Sequence, residues 1–324
     1  MQQIGFVGLG AMGSVMAPLP VAAGFSVIAF DLAPHLPTLP NITMADALTD
    51  LAACDAIITM LPDGEVVVAV TTQLAAAGFR GLIIDMSSSH PDSTIQLGAD
   101  LAAYGIRLID APVSGGVKKA VTGSLMVMAG GSAEDITTAT ALISCFGSIQ
   151  HVGPLAAGHA MKALNNYVSA AGLLASMQAL ATAESFGISA DRFTSVINGS
   201  TGRNNTTEVK MMPFIASRRY ESGFFLRLMA KDVTIASELI NNAGFDAPIT
   251  PALNRYLEIA RQHGLDPSQM ALAWAAGRPF ITSQIFGATT TTQLKTALES
   301  TTISLTDDVL RDIQTTYRRY PMPY

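Results

Sequence analysis

Cysteine is nearly absent: the chain has two, Cys54 and Cys145, in no CxxC pair and near no histidine cluster. That argues against a zinc centre and a disulfide scaffold, so no metal site is expected and both thiols should be reduced core residues. Charge is also scarce, at 14% of residues with a net −6, and no run of Lys or Arg interrupts it. A nucleic-acid partner is therefore not expected. The chain enters an apolar strand directly after Met1-Gln2-Gln3, which leaves no room for a signal peptide and leads to the expectation of a cytoplasmic protein. One segment, Ala163–Ala183, carries no formal charge over 21 residues. It approaches the length of a membrane span, but Asn165, Asn166, Ser169, Ser176 and Gln178 point to a helix buried between domains, so no membrane association is expected.

What remains is a hydrophobic chain, 49% apolar over 324 residues, long enough for two domains with a substantial core. It opens with the strand Ile4–Val7 running into Gly8-Leu9-Gly10-Ala11-Met12-Gly13, a GxGxxG loop. In that pattern Gly8 allows the tight turn, Gly10 lets the backbone approach a pyrophosphate, and Gly13 permits close packing of helix on strand. The helix N-terminus behind the loop offers free N–H groups and a positive dipole end. A second strand, Phe25–Phe30, ends in Asp31, 18 positions after Gly13, where a carboxylate can accept hydrogen bonds from ribose hydroxyls. Asp31 also repels a 2′-phosphate, and no Arg or Lys follows before Arg80, so NAD is expected in preference to NADP. Pro18 and Pro20 fall in the first helix and predict that it is kinked or short, ending near Met16–Leu19.

Further βα units follow a proline-punctuated loop, Ala33–Pro40: Ala56–Met60 into Leu61-Pro62, Leu82–Asp85 into Met86-Ser87-Ser88-Ser89, and Arg107–Asp110 into Ala111–Gly116. Each apolar strand ends in small or polar residues, the edge at which open parallel sheets bind ligands. Ser124–Ala129 and Ser148–Val152 complete the sheet around a helix at Ala133–Phe146. The run Ser114-Gly115-Gly116 clusters backbone N–H groups and a hydroxyl, a cradle for a carboxylate or simply a turn. Lys162 stands at the mouth of the uncharged helix with Asn166 at i+4, on one helix face.

Four motifs in order, Gly8–Gly13, Asp110–Gly116, Gly158–Asn166 and Lys231-Asp232, resemble the β-hydroxyacid (3-hydroxyisobutyrate) dehydrogenase family over residues 1–262. The resemblance implies an α/β Rossmann N-terminal domain, residues 1–157, and an all-α domain, residues 158–262, for substrate binding and dimerisation. It implies NAD(P) at Gly8, Gly10, Ala11, Met12 and Gly13, with further cofactor contacts from Leu61, Pro62, Ser88 and Lys231. It implies a small carboxylate substrate held by Ser114, Gly115 and Gly116, with Asn166 orienting it and Lys162 transferring the proton. A homodimer or homotetramer is expected. Leu19 and Pro20 stand where the family often has Asn-Leu, a departure at the adenosine end. Imine reductases share the architecture but usually carry a different residue at the lysine position; a catalytically impaired dinucleotide-binding protein is the other alternative. Arg203, in the polar loop Asn198–Asn205, is a second candidate carboxylate anchor or part of a capping loop.

Residues 263–324 change character. His263–Trp274, Arg278–Ser283, Gly287-Ala288-Thr289 and Gln293-Leu294-Lys295 resemble the carboxyl end of aldo-keto reductases, as a mixed helix/strand tail with a helix at Asp307–Tyr317. Only one barrel strand, Ile281–Gly287, is implied, and a barrel needs eight. No chemistry is therefore expected from this tail.

Overall fold

The computed structural model describes residues 1–33, 39–219, 226–245, 247, 255, 258–277 and 291–319. The strand expected at Ile281–Gly287 and the stretches Arg278–Ser283 and Gly287-Ala288-Thr289 lie outside the described residues. The chain divides into two compact units, residues 1–167 with 223–239, and residues 168–222 with 240–324.

The first unit is built on a nine-stranded sheet: β1 (Gln3–Val7), β2 (Ser26–Phe30), β3 (Thr43–Met44), β4 (Ala56–Thr59), β5 (Leu82–Asp85), β6 (Arg107–Asp110), β7 (Val113–Ser114), β8 (Leu125–Gly130) and β9 (Gly147–Gly153). The order is β3-β2-β1-β4-β5-β6-β8-β7, with β9 on β8. β1 to β6 pair in parallel, β8 runs antiparallel to β6 and β7, and β9 is parallel to β8. Alternate residues feed opposite faces. Ile4, Phe6, Ala56, Ile58, Leu82 and Ile84 join one buried cluster, while Ile57 and Ile83 join another. Strands buried on both faces need continuous apolar sequence, which explains runs such as Leu82-Ile83-Ile84. Each such side chain contributes about 1.5–3 kcal/mol on burial.

The first crossover contains the expected break. Helix α1 (Gly13–Met16) stops, and α2 (Pro18–Ala22) restarts with Pro18 in its first turn. Ala17 keeps helical angles, so the chain does not turn away. Pro18 and Pro20 lack the N–H groups that would close the ladder onto Ser14 and Met16. The crossovers that follow are α3 (Gly64–Ala76), α4 (Pro91–Ala102), α5 (Gly116–Val121) and α6 (Ala133–Ile143). The side chains of Asp63 and Ser132 accept from backbone N–H groups three residues on, capping α3 and α6.

Helix α7 (Ala157–Ser185) carries the uncharged stretch. In the second unit its Met177, Leu180 and Ala183 pack with Phe193 of α8 (Ala190–Asn198) and with Met211 and Ile215. The last two lie on a π-type helix, Thr206–Ala216, that contains Pro213. Helix α9 (Leu226–Asn242) contributes its first part to the first unit. The tail holds helices Pro267–Ala276, Thr291–Glu299 and Asp307–Arg319. Ile259, Met270, Val309 and Ile313 form a small separate core there, beside a His263–Asp312 contact of 2.8 Å. No described helix is long and apolar enough to cross a membrane.

Candidate active site

Strand register brings the glycine loop and most of the predicted cofactor contacts to one edge of the sheet. Val7 pairs with Phe30 and with Thr59, and Thr59 pairs with Asp85. The residues that follow, Gly8, Asp31, Leu61-Pro62 and Ser88, therefore leave the sheet at its carboxyl edge. The strand order reverses at β1, between β2 and β4, and the glycine loop begins at this switch point, where open parallel sheets bind ligands.

The three glycines do different work. Gly8 has φ +97°, and a Cβ there would lie 2.3 Å from the Met60 carbonyl oxygen. A Cβ on Gly13 would lie 1.9 Å from the Gly8 carbonyl oxygen, so Gly13 seats α1 against the end of β1. A Cβ on Gly10 would meet nothing within 4 Å. Gly10 is thus not required by the protein's own packing; its bare backbone faces open space, the fit a pyrophosphate needs. Ala11 is exposed and Met12 half-buried beside it. Asp31 accepts from the Leu9 N–H at 2.6 Å and the Ala33 N–H at 2.8 Å, which aims its carboxylate at the loop and leaves lone pairs for ribose hydroxyls. These residues fit a dinucleotide.

Ser88 and Lys231 belong to a second layer of contacts. The Lys231 ammonium donates to the carbonyls of Pro62 (3.0 Å) and Ser88 (2.7 Å), tying α9 to the ends of β4 and β5. Burial pushes its pKa down, with Asp232, Asp63 and Asp85 pulling the other way. Two of its three N–H groups are engaged and one is left for a ligand. The Ser88 hydroxyl donates to Asp232 Oδ1 at 3.0 Å, and the Asn166 amide donates to Asp232 Oδ2 at 2.5 Å. Asp232 thereby fixes the amide of Asn166 one turn beyond Lys162 on α7.

Lys162 is half-buried and makes no hydrogen bond with the described residues. Desolvation lowers its pKa below the ordinary 10.5; Asp232 opposes that shift and Lys231 reinforces it. Burial thus makes the Lys162 amine easier to deprotonate than an exposed lysine, while the Asp232 carboxylate favours its charged form. Ser114 ends β7 opposite Met126, and its hydroxyl also makes no hydrogen bond among the described residues. Gly115 (φ +139°) and Gly116 (φ +67°) follow in backbone conformations open to glycine. Arg203 is exposed and pairs with Glu208 at 3.5 Å, the arrangement of a surface loop.

Sequence reasoning assigned no role to Asp85, Asp110, His159 or Asp232. Asp110, fully buried, accepts from the N–H groups of Ala156 and His159, both at 2.7 Å, and so caps α7. Asp85 accepts from Thr59 (2.9 Å), Ser89 (3.1 Å) and the Ser87 N–H (3.0 Å). The signal was present: two apolar strands, Leu82–Asp85 and Arg107–Asp110, each end in an aspartate. No group of metal-ligating side chains occurs among the described residues.

Comparison with known proteins agrees with this geometry. Residues 3–153 match the NAD binding domain of 6-phosphogluconate dehydrogenase, and residues 156–275 match the NAD-binding domain of NADP-dependent 3-hydroxyisobutyrate dehydrogenase. The chain is 34% identical to the 2-(hydroxymethyl)glutarate dehydrogenase of Eubacterium barkeri, across 83% of this chain and 92% of that protein. It belongs to the 3-hydroxyisobutyrate dehydrogenase family. Among other members, the NAD-dependent L-serine dehydrogenase of Pseudomonas aeruginosa is 32% identical, across 81% of this chain and 93% of that protein. The structure of the Mycobacterium tuberculosis 3-hydroxyisobutyrate dehydrogenase with L-serine superposes with a TM-score of 0.72 at 32% identity, over 82% of this chain and 97% of that one. The chain accordingly has the family's Rossmann-type sheet domain, followed by a helical domain, and it carries an NAD-binding domain. The family match runs to residue 275, past the expected boundary at residue 262.

Proposed function

We propose that the protein catalyses the reversible NAD-dependent oxidation of a small β-hydroxyacid, of the 3-hydroxyisobutyrate kind, to its semialdehyde. The observation that carries this is the desolvated Lys162, one helical turn from an Asn166 whose amide Asp232 holds in place. Bound NAD supplies hydride acceptance and return at its nicotinamide. The protein's part is binding, orientation and proton transfer. Ser114 and the N–H groups of Gly115 and Gly116 hold the substrate carboxylate, and the Asn166 amide orients the substrate. Neutral Lys162 takes the hydroxyl proton in oxidation, and charged Lys162 returns it in reduction. Gly8, Gly10, Ala11, Met12, Gly13, Asp31, Leu61, Pro62, Ser88 and Lys231 hold the cofactor. Asp31 supports NAD over NADP.

In this reading residues 1–157 bind cofactor, and residues 158–262 bind substrate and form a homodimer or homotetramer. Residues 263–324 form a tail similar to that of aldo-keto reductases, without chemistry of its own. The reading includes a cytoplasmic location, in keeping with reduced thiols at Cys54 and Cys145.

A panel of small hydroxyacids followed by NADH absorbance tests the activity. Lys162→Met should abolish turnover, by on the order of a thousandfold or more, while NADH binding survives. Reduction of simple aldehydes should vanish with it. Substantial aldehyde reduction by a folded Lys162→Met protein would place the chemistry elsewhere.

A further inference from the structure

His159 lies three residues before Lys162, in the first turn of α7, and its side chain is fully buried. Two buried carboxylates face it. Nε2 stands 3.6 Å from Asp85 Oδ2, at the end of β5, and Nδ1 stands 3.7 Å from Asp110 Oδ2, at the end of β6. From α4 the Thr94 hydroxyl lies 2.8 Å from Nδ1. The Thr94 hydroxyl also lies 3.2 Å from the His90 carbonyl, so its one hydrogen goes either to that carbonyl, with Nδ1–H donating to Thr94, or to a bare Nδ1. Among the described residues Nε2 has no hydrogen-bond partner. A bare Nε2 would point its lone pair at a buried carboxylate, whereas an Nε2–H turns the same contact into a charge-assisted one.

Lys231, on α9, interacts electrostatically with Asp85. Asp110 has two backbone N–H groups, and Asp85 has two hydroxyls and one N–H. An imidazole ring on the helix itself then joins the ends of two neighbouring strands. Ser88, within the loop that follows Asp85, reaches Asp232, and Asp232 reaches Asn166. The start of α7 and the amide one turn past Lys162 are thus anchored to the same strand end.

We propose that His159 is a positioning residue: its ring, with Nε2–H turned to Asp85 and Nδ1 set against Thr94 and Asp110, joins the two strand ends and sets the first turn of α7, and so the place of Lys162. The inference rests on the reading of Lys162 as the proton-transferring group, but one of its tests does not. The ring-nitrogen NMR spectrum of the 15N-histidine protein, assigned by comparison with His159→Gln, needs no substrate. Hydrogen on Nε2 is expected in the folded protein, facing Asp85. A bare Nε2 in the folded wild-type protein would overturn the bridge, whether or not any hydroxyacid is turned over.

The kinetic arm uses the full-length enzyme with the best substrate of the panel. His159→Gln keeps one donor and comparable length, and it should lower kcat on the order of ten- to a hundredfold, as expected for a displaced catalytic group. The NADH dissociation constant should stay within about twofold, because the glycine loop is untouched. Wild-type kcat in a folded His159→Gln protein would overturn the positioning role. If that variant does not fold, Asp85→Asn gives the same reading from the other side of the contact: reduced kcat supports the bridge and unchanged kcat overturns it. Absence of turnover by the wild-type protein across the panel would instead count against the proposed activity, and the nitrogen spectrum alone would then decide on His159.

Discussion

Gly10 and Gly13 are three residues apart in one loop, yet the structure assigns alanine opposite consequences at the two positions. At Gly13 the added Cβ would sit 1.9 Å from the Gly8 carbonyl oxygen and 3.3 Å from the Phe6 ring. Ordinary contact starts more than an ångström further out, so α1 must move off β1 or the turn must open. Overpacking of this kind costs about 1–3 kcal/mol, and a rigid backbone oxygen puts the cost at the upper end. At Gly10 the same methyl meets no atom within 4 Å, and φ is not in the left-handed region, so stability should change by no more than about 0.5 kcal/mol. Its cost falls on the cofactor, whose pyrophosphate must approach that backbone closely. Urea denaturation of the cofactor-free proteins should show Gly13→Ala destabilised and Gly10→Ala level with wild type. NADH fluorescence titration should show Gly10→Ala weakened at least about tenfold, a change of roughly 1.4 kcal/mol. Wild-type NADH affinity in Gly10→Ala, with unchanged stability, would refute the assignment of this face to the cofactor.

Three further outcomes are expected. Asp31→Asn keeps the contact site for the Leu9 N–H but removes the negative charge, so the ratio of kcat/KM for NAD to that for NADP should fall by about tenfold or more; an unchanged ratio would remove Asp31 from cofactor choice. Asp232→Asn removes the carboxylate that favours charged Lys162, so the acidic limb of the kcat profile for oxidation should move to lower pH; movement upward would contradict the geometry. Because the folded protein holds Lys162 below its ordinary pKa, the unfolded chain binds more protons between the folded value and 10.5, and stability rises with pH across that window. Lys162→Met should therefore raise the melting temperature at neutral pH, and the gain should shrink as pH rises towards the ordinary lysine value; a destabilised variant at pH 7 would count against a desolvated lysine.

The strands and the cofactor loop were legible in the sequence because their causes are local. A strand buried on both faces must be apolar throughout, and Leu82–Asp85 and Arg107–Asp110 end where their apolar runs end. The break after Met16 was legible for the same reason, since a proline's missing donor acts within one turn. The GxGxxG spacing and the acidic end of β2 identify a dinucleotide loop, because pyrophosphate and ribose lie a set distance apart. The π-type helix at Thr206–Ala216 was not legible; nothing in its residue pattern separates it from an α-helix holding Pro213. Nor were the contacts that organise the site. Asn166 meets Asp232 across 66 residues of sequence, Ser88 meets Asp232 across 144, and Asp110 meets the His159 N–H across 49. An aspartate at a strand end reads alike in sequence whether it faces water, caps a helix or binds a buried histidine. Only the folded chain decides, because burial removes water as a partner and each carboxylate must then find its donors in whatever segment the topology brings beside it.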